Sequence, residues 1–568
     1  MRWACAALVL LLGCADLRPD ADPSIARVAI EPSELVLVEG TEMELELQVF
    51  DSDGNQIDLP EWYQPQWSSN DPEAVSVFNG VVTAYQGTTR ISVQVGLQKA
   101  LARVRVNPII EIEARAVYVN QVAQRHPRGN VTLIAGRPGL LRIYVVVDEE
   151  GHFYEHAPEI RVRTGSVDVR LTQAEVGLLS EMPEPDDRRR VYELILPGDE
   201  IVPGMEIRID YDPDDDIPGL GGSEVYMPKV VNFERLVQMI VPTVHSQHPN
   251  ERILEWAGGL HNDHGDLRLH QVVLPIADRR IVVHERYESN RDLFRANGWR
   301  AWLSEMEALM YAENNFHMYY YGAAILPYRA GIIGMGYIGA PVSVGMNEEV
   351  TLAHEVGHNM SLFHAPCGNP TSVDPDFPNT NGNIGSWGWN PTRNQLVKPD
   401  WKDLMGYCSP VWVSPHHFDR AISHRRFYGA PAGPVQPVLM IWGNVSGDDL
   451  VVNPIFAMET AASVPDVDGL WEARGYGADG EVLFAMPFSP RPMSHTEAHG
   501  FNVRVPYDPD WEVASVTVAG PGIETTISDG TLPPMSFVWS ETGQVIAILS
   551  DGPMRGIVSD GIPREVSR

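Results

Sequence analysis

The chain has 568 residues, enough for roughly three to five domains that each bury a core. Its 76 acidic side chains against 42 Lys and Arg leave a formal net charge of -34, which argues against nucleic acid and anionic membrane surfaces as partners, since both would be repelled. No stretch is apolar for long enough to cross a bilayer as a helix.

The first 14 residues read as a targeting segment. Arg2 gives a positive start, Ala4 to Leu12 form a short apolar run, and Leu11-Leu12-Gly13-Cys14 resembles a lipoprotein signal-peptidase box. That resemblance implies export with Cys14 as the lipidated first residue of the mature chain, anchored to a bacterial membrane or cell surface. Plain secretion is the alternative. A polar linker follows at 15–24. Residues 25–107 alternate apolar and polar positions, as in Glu42 to Phe50, between turn clusters such as Asp51-Ser52-Asp53-Gly54-Asn55, the pattern of a β-sandwich. Trp67-Ser68-Ser69-Asn70-Asp71-Pro72, Gly80-Val81-Val82-Thr83-Ala84 and Gly87-Thr88-Thr89 resemble the bacterial immunoglobulin-like family. The Asp51 and Asp53 pair suggests Ca2+, but the Glu expected at the twelfth position of a binding loop is missing, and a hairpin turn fits better. Residues 108–224 form a second β-rich region, with Val131 to Ala135 and Leu140 to Val147 as its clearest strands.

Residues 225–431 carry the chemistry. Leu267 to Ile276 reads as a buried strand. Trp299, Trp302, Leu303, Met306, Leu309 and Met310 share one helical face, and Met318 to Gly322 reads as a strand. Gly334-Met335-Gly336-Tyr337-Ile338-Gly339 matches the dinucleotide fingerprint, yet Ala340 to Gly345 continues extended where a phosphate site needs a helix to open. A helix then starts with Asn347 as cap and Glu348 and Glu349 in its first turn, and Leu352, Val356 and Met360 form its apolar stripe. On such a helix His354 and His358, four apart, point at one ion, and Glu355 takes the general-base position beside it. His364 is the third ligand if the helix stops near residue 361, leaving a fourth position open, which describes a catalytic Zn2+.

His354-Glu355-Val356-Gly357-His358-Asn359-Met360-Ser361-Leu362-Phe363-His364, followed by Asp403-Leu404-Met405-Gly406-Tyr407, resembles the metzincin metalloproteases with their methionine turn. Ser361 stands where that clan has glycine. The segments around Cys367 and Cys408 and the Gly-rich strand are similar to those of secreted bacterial metzincins of the mucin-cleaving type. The resemblance implies a zinc endopeptidase acting on proteins or glycoproteins. Met405 would lie under the metal, and the Gly-rich strand could offer an edge to the substrate backbone. Tyr407 would bind metal or steady an oxyanion, or else simply pack. With Cys5 removed and Cys14 lipidated, Cys367 and Cys408 remain as a pair, each three residues beyond a site residue, and are expected to form a disulfide. The loop between His364 and Met405 would wall the cleft, and His416, His417 and His424 are rival ligands. Residues 432–568 return to short alternating strands, one β-sandwich or two small ones. The fold expected is therefore multidomain, an α/β metzincin-like catalytic domain flanked by all-β immunoglobulin-like or β-sandwich modules. Two other functions stay open: an inactive surface adhesion or scaffold protein, and a zinc hydrolase of a non-peptide amide.

Overall fold

A computed structural model of the chain describes residues 25–550 and 557–559, apart from 61–62, 108–111, 125–130, 148–157, 174–180, 215–221, 247, 328–330, 428–432, 529–531 and 533–534. The targeting segment, Cys14 and the linker lie outside the described residues.

Strand dominates, and the helices gather in one region. The first module is a sandwich of mostly antiparallel strands, with Glu34–Val38 parallel to Gln98–Asn107, and Ile91, Val93 and Val104 are fully buried between its layers. Glu42 to Phe50 forms two strands here, Glu42–Glu44 and Glu46–Phe50, which pair with different partners. The Asp51 carboxylate accepts from the backbone N–H of Asp53 and Asn55, so this turn is closed by its own side chain. The second β-rich region has its own core around Ile143, Val162 and Ile209. Val122, Val131 and Ile134 from the same region join a different core, the one that holds the helix bearing His354.

The catalytic region is built on a sheet whose spatial order runs Gly334–Gly336, Val342–Met346, Tyr319–Ala324, Leu236–His245, Tyr287–Ser289. Gly334–Gly336 is antiparallel to its neighbour, and the strands inward from there are parallel. The glycines of the fingerprint therefore lie on an edge strand and not at a helix N-terminus. The long helix Ala296–Ala312 packs Trp302 and Met306 against this sheet. Leu267 to Ile276 is not a strand. A 3-10 turn, Gly265–Leu267, leads into the helix Arg268–Val273, and Leu267, His270 and Val273 are buried at helical spacing. So short an apolar run fits either period, and packing beneath the motif helix decided it.

The last residues do not all form a separate sandwich. Strands between Val435 and Ser528 make one, with Leu439, Ile441 and Val516 in its core. Met535–Trp539 and Val545–Ser550 instead extend the catalytic sheet, through Glu288 opposite Ala547, and their Met535, Phe537 and Ile548 are buried in the core of the long helix.

Candidate functional site

The motif helix spans Glu349–Asn359. Its cap position is Glu348, one residue later than the expected Asn347, and the Glu348 carbonyl accepts the first helical bond from Leu352. The Glu349 carboxylate leaves the helix axis to accept from the Leu269 N–H at 2.7 Å, tying the two helices together. Leu352, Val356 and Met360 are buried. The helix ends in a Schellman motif: Ser361 N–H bonds to His358 O and Leu362 N–H to Gly357 O. That motif needs a left-handed residue, and Ser361 supplies it with φ 65°. Its hydroxyl lies 2.8 Å from His424 Nδ1, so the turn that swings the chain toward His364 is held in place without glycine.

His354, His358 and His364 converge. The His358 Nε2 atom lies 3.1 Å from His354 Nε2 and 3.2 Å from His364 Nε2. Each Nδ1 faces a backbone carbonyl: Leu404 at 2.8 Å, Leu362 at 2.7 Å and Thr371 at 2.5 Å. A carbonyl only accepts, so each Nδ1 carries the hydrogen and each Nε2 presents a lone pair. Burial, reinforced by the neighbouring imidazoles at His358 and His364, favours the neutral rings. His354 is lowered to about 4 and His364 to about 2, and His358 is held well below its ordinary value. Neutral lone pairs facing one another at such distances repel unless a cation sits among them. Four nitrogens around Zn2+ at about 2.05 Å would stand about 3.3 Å apart, close to what is seen. The donor set fits zinc.

The floor of the site comes from the turn after Asp403. A Cβ added to Gly357 would meet Met405 Sδ at 2.7 Å, so glycine on the helix lets this methionine lie directly beneath. The buried Asp403 carboxylate accepts from Met405 N–H, Ser414 N–H and His417 Nδ1. Burial opposes charge on both partners. The Asp403 and Asp374 carboxylates nonetheless raise His417 to about 9, and Asp403 is lowered by His417. Cys367 and Cys408 form a disulfide, Cα atoms 5.8 Å apart, across backbone bonds from Ala365 N–H to Met405 O and from Tyr407 N–H to Cys367 O. Closing a loop of this length is worth about 4 kcal/mol on chain-entropy grounds. The rival histidines are engaged elsewhere. His416 and Arg420 each place a nitrogen 2.9 Å from Asp374 Oδ2, His417 bonds to Asp403, and His424 holds Ser361. Of the loop between His364 and Met405, Asn369 and Thr371 line the cleft, whereas Trp387 O accepts from Gln124 N–H in the second β-rich region.

Glu355 is buried beside the three imidazoles, and a Cβ on Gly334 would stand 2.4 Å from its Oε1. Two further side chains, invisible to sequence reasoning, reach it from the C-terminal sandwich. His495 Nε2 lies 2.9 Å from Glu355 Oε1, and Ser494 Oγ donates to Oε2 at 3.2 Å. Tyr407 Oη is 3.3 Å from His364 Nε2 and 2.5 Å from His495 Nδ1, and burial together with the charge of Glu355 raises its pKa. The ligand atoms of His354, His358, His364 and His495 all lie within 4.8 Å of one another. Met493 pairs with Tyr337, and Pro492 O accepts from Ile338 N–H, so this hairpin covers part of the edge offered by the Gly-rich stretch. A Ser-His pair at a hairpin tip has no spacing template, and only the fold brings it here. A cavity of about 510 Å³ remains, walled by residues 331–334 on one side and Tyr407 to Ser409 on the other, with His354 and Glu355 at its base.

No curated protein matches the chain in sequence. Slight structural likenesses are to the S-layer protein rSbsC(31-844), with 14% identity over 38% of this chain and 29% of that one and a TM-score of 0.19. The three N-terminal domains of the bacteriophage RB49 outer capsid protein Hoc give 13%, 36%, 70% and 0.22 for the same quantities, and bovine butyrophilin gives 12%, 36%, 100% and 0.18. This chain thus spans 29% of the S-layer protein's length, and scores this low carry no weight for function. Residues 308–407, from the end of the long helix through the three histidines to Tyr407, match the family described as Peptidase M66, which supports a peptidase.

Proposed function

We propose that this chain is a zinc-dependent endopeptidase of metzincin type, exported and lipid-anchored through Cys14, with protein or glycoprotein substrates and an immunoglobulin-like module at its N-terminus. The observation that carries the reading is the set of imidazole lone pairs from His354, His358 and His364, each fixed by a carbonyl behind it, next to a buried carboxylate. The match to Peptidase M66 and the bacterial mucin-cleaving resemblance of the flanking segments point the same way.

A zinc ion held by these nitrogens supplies Lewis acidity toward water and a carbonyl oxygen. Glu355 takes the proton from the attacking water and hands it to the leaving amine. Its buried position beside the imidazoles keeps that transfer short. The Tyr407 hydroxyl, at the opposite rim, rests on His495 Nδ1 and would turn its one hydrogen to the oxygen that gains charge at the scissile carbonyl once substrate is bound. An extended peptide lies between residues 331–334 and Tyr407 to Ser409.

The test is the purified protein with Glu355→Gln beside it. Wild type is expected to hold one zinc per chain and to cleave casein or mucin. The variant keeps the zinc and loses activity by roughly 100- to 10,000-fold. A variant that cleaves at the wild-type rate would rule out the assignment. A surface scaffold with a structural metal is favoured by one feature, the nearness of the fourth imidazole, His495, since closed four-ligand sites are structural. Wild type that binds zinc tightly and cleaves nothing on a broad substrate panel would establish that reading instead.

A further inference from the structure

We propose that Ser494 and His495 are positioning residues for the Glu355 carboxylate, so that the C-terminal sandwich supplies part of the catalytic centre. This rests on Glu355 being the general base.

Both carboxylate oxygens are held from that hairpin, Oε1 by His495 and Oε2 by Ser494. The bonds have a direction. Gly336 N–H donates to Ser494 Oγ at 2.8 Å, which leaves the Ser494 hydroxyl hydrogen for Glu355. An ionised carboxylate only accepts, so His495 Nε2 carries a hydrogen toward it, and in the neutral ring Nδ1 then receives the Tyr407 hydroxyl. His495 thereby ties the base to the tyrosine at the opposite rim. Each carboxylate oxygen can accept two hydrogen bonds, so each keeps a lone pair beyond its bond to the hairpin.

The hairpin is built in firmly. Met493 is fully buried, Ser494 N–H bonds to Gly336 O at 2.8 Å, and Arg491 pairs with the buried Glu307 at 2.9 Å. His495 itself has φ 59°, a left-handed backbone that side chains other than glycine adopt at a cost. The surrounding bonds hold it there, and its ring stacks on His354 with centroids 5.3 Å apart.

The experiment uses the zinc-loaded full chain and the variants His495→Ala, His495→Gln and Ser494→Ala, with thermal unfolding confirming that each folds. Loss of a partner that orients a reacting group typically costs 10- to 100-fold. The expected result is a fall in kcat of about that size in His495→Ala, with KM changed by less than about twofold. The Ser494→Ala loss should be smaller, and His495→Gln, whose amide can still donate, should recover part of it. Tyr407→Phe in the His495→Ala background should add less than it does alone. Zinc affinity by chelator competition and the visible spectrum of the Co2+-substituted protein should stay as in wild type. Affinity for acetohydroxamate, which needs a well-placed carboxylate to accept its hydrogen, should drop about tenfold in both alanine variants. An unchanged kcat, or a rise in KM alone, overturns the proposal. So does a shifted Co2+ spectrum with zinc affinity down more than about tenfold in His495→Ala, which makes His495 a ligand. If wild type cleaves nothing, the endopeptidase reading falls, and the hydroxamate measurement alone decides: equal affinity in wild type and variants overturns the positioning role.

Discussion

Single atoms decide how this site is built, and Gly334 shows it best. Its backbone is ordinary extended strand, so alanine meets no conformational barrier there, yet the added Cβ would stand 2.4 Å from Glu355 Oε1. Gly334→Ala is therefore expected to push the carboxylate aside, lowering kcat/KM by roughly 100-fold while zinc content and fold survive. Kinetics together with metal analysis will show it. The reason for this glycine could not be read from Gly-x-Gly-x-x-Gly, a pattern that arises wherever a strand must pass close to something. His354, Glu355 and His358 were legible because a helix puts fixed spacings on one face. His364 required one further step, the Schellman turn at Ser361. Ser494 and His495 were not legible, because their approach to Glu355 spans 139 and 140 residues and no local rule encodes it.

Among the elements, the methionine turn and the helix Pro415–Phe427 are coupled through charge. His417 is raised to about 9, against an ordinary value of 6.5, and lies 2.7 Å from Asp403 Oδ1, with Nε2 at 3.6 Å from Asp374. The folded chain holds that proton more tightly than the unfolded chain, so the pair stabilises fully below about pH 6.5, less as pH climbs, and not at all beyond about pH 9. Asp403 is shifted down, so its contribution is complete above its ordinary value of 3.8 and is lost as pH falls through the lower folded value. The contribution of this pair to the thermal midpoint should thus be largest between about pH 4 and 6.5 and decline on the alkaline side by the equivalent of a few kcal/mol, whereas the buried neutral rings of His354, His358 and His364 act the other way and lower stability as pH falls below about 6.5. His417→Gln should flatten that alkaline limb, which unfolding curves over a pH series will reveal. The sequence marked His417 as a candidate ligand because His is a versatile residue. What settled its place was a buried carboxylate 14 residues upstream. The same ambiguity misassigned Leu267 to Ile276, where six helical residues gave too little period to read.

At the level of the whole molecule, the C-terminal chain is structurally part of the protease region. Met535, Phe537, Val545 and Ile548 are buried against the long helix, and burying such side chains is worth about 1.5–3 kcal/mol each. Their sum rivals the 5–15 kcal/mol by which a typical domain is stable. A chain ended after residue 534 is expected to lose its cooperative thermal transition or to accumulate as insoluble protein, and one ended after 431 should do the same. Calorimetry and solubility measurements will tell. Alternating strands near residue 545 gave no hint of which sheet they would join, because strand pairing is a long-range choice. The late arrival of His495, 140 residues behind Glu355, also sets a schedule. At ribosomal speeds of 5–20 residues per second the chain grows for about 7–28 s between the two. During that interval the site lacks the two side chains that hold the Glu355 carboxylate from the C-terminal sandwich.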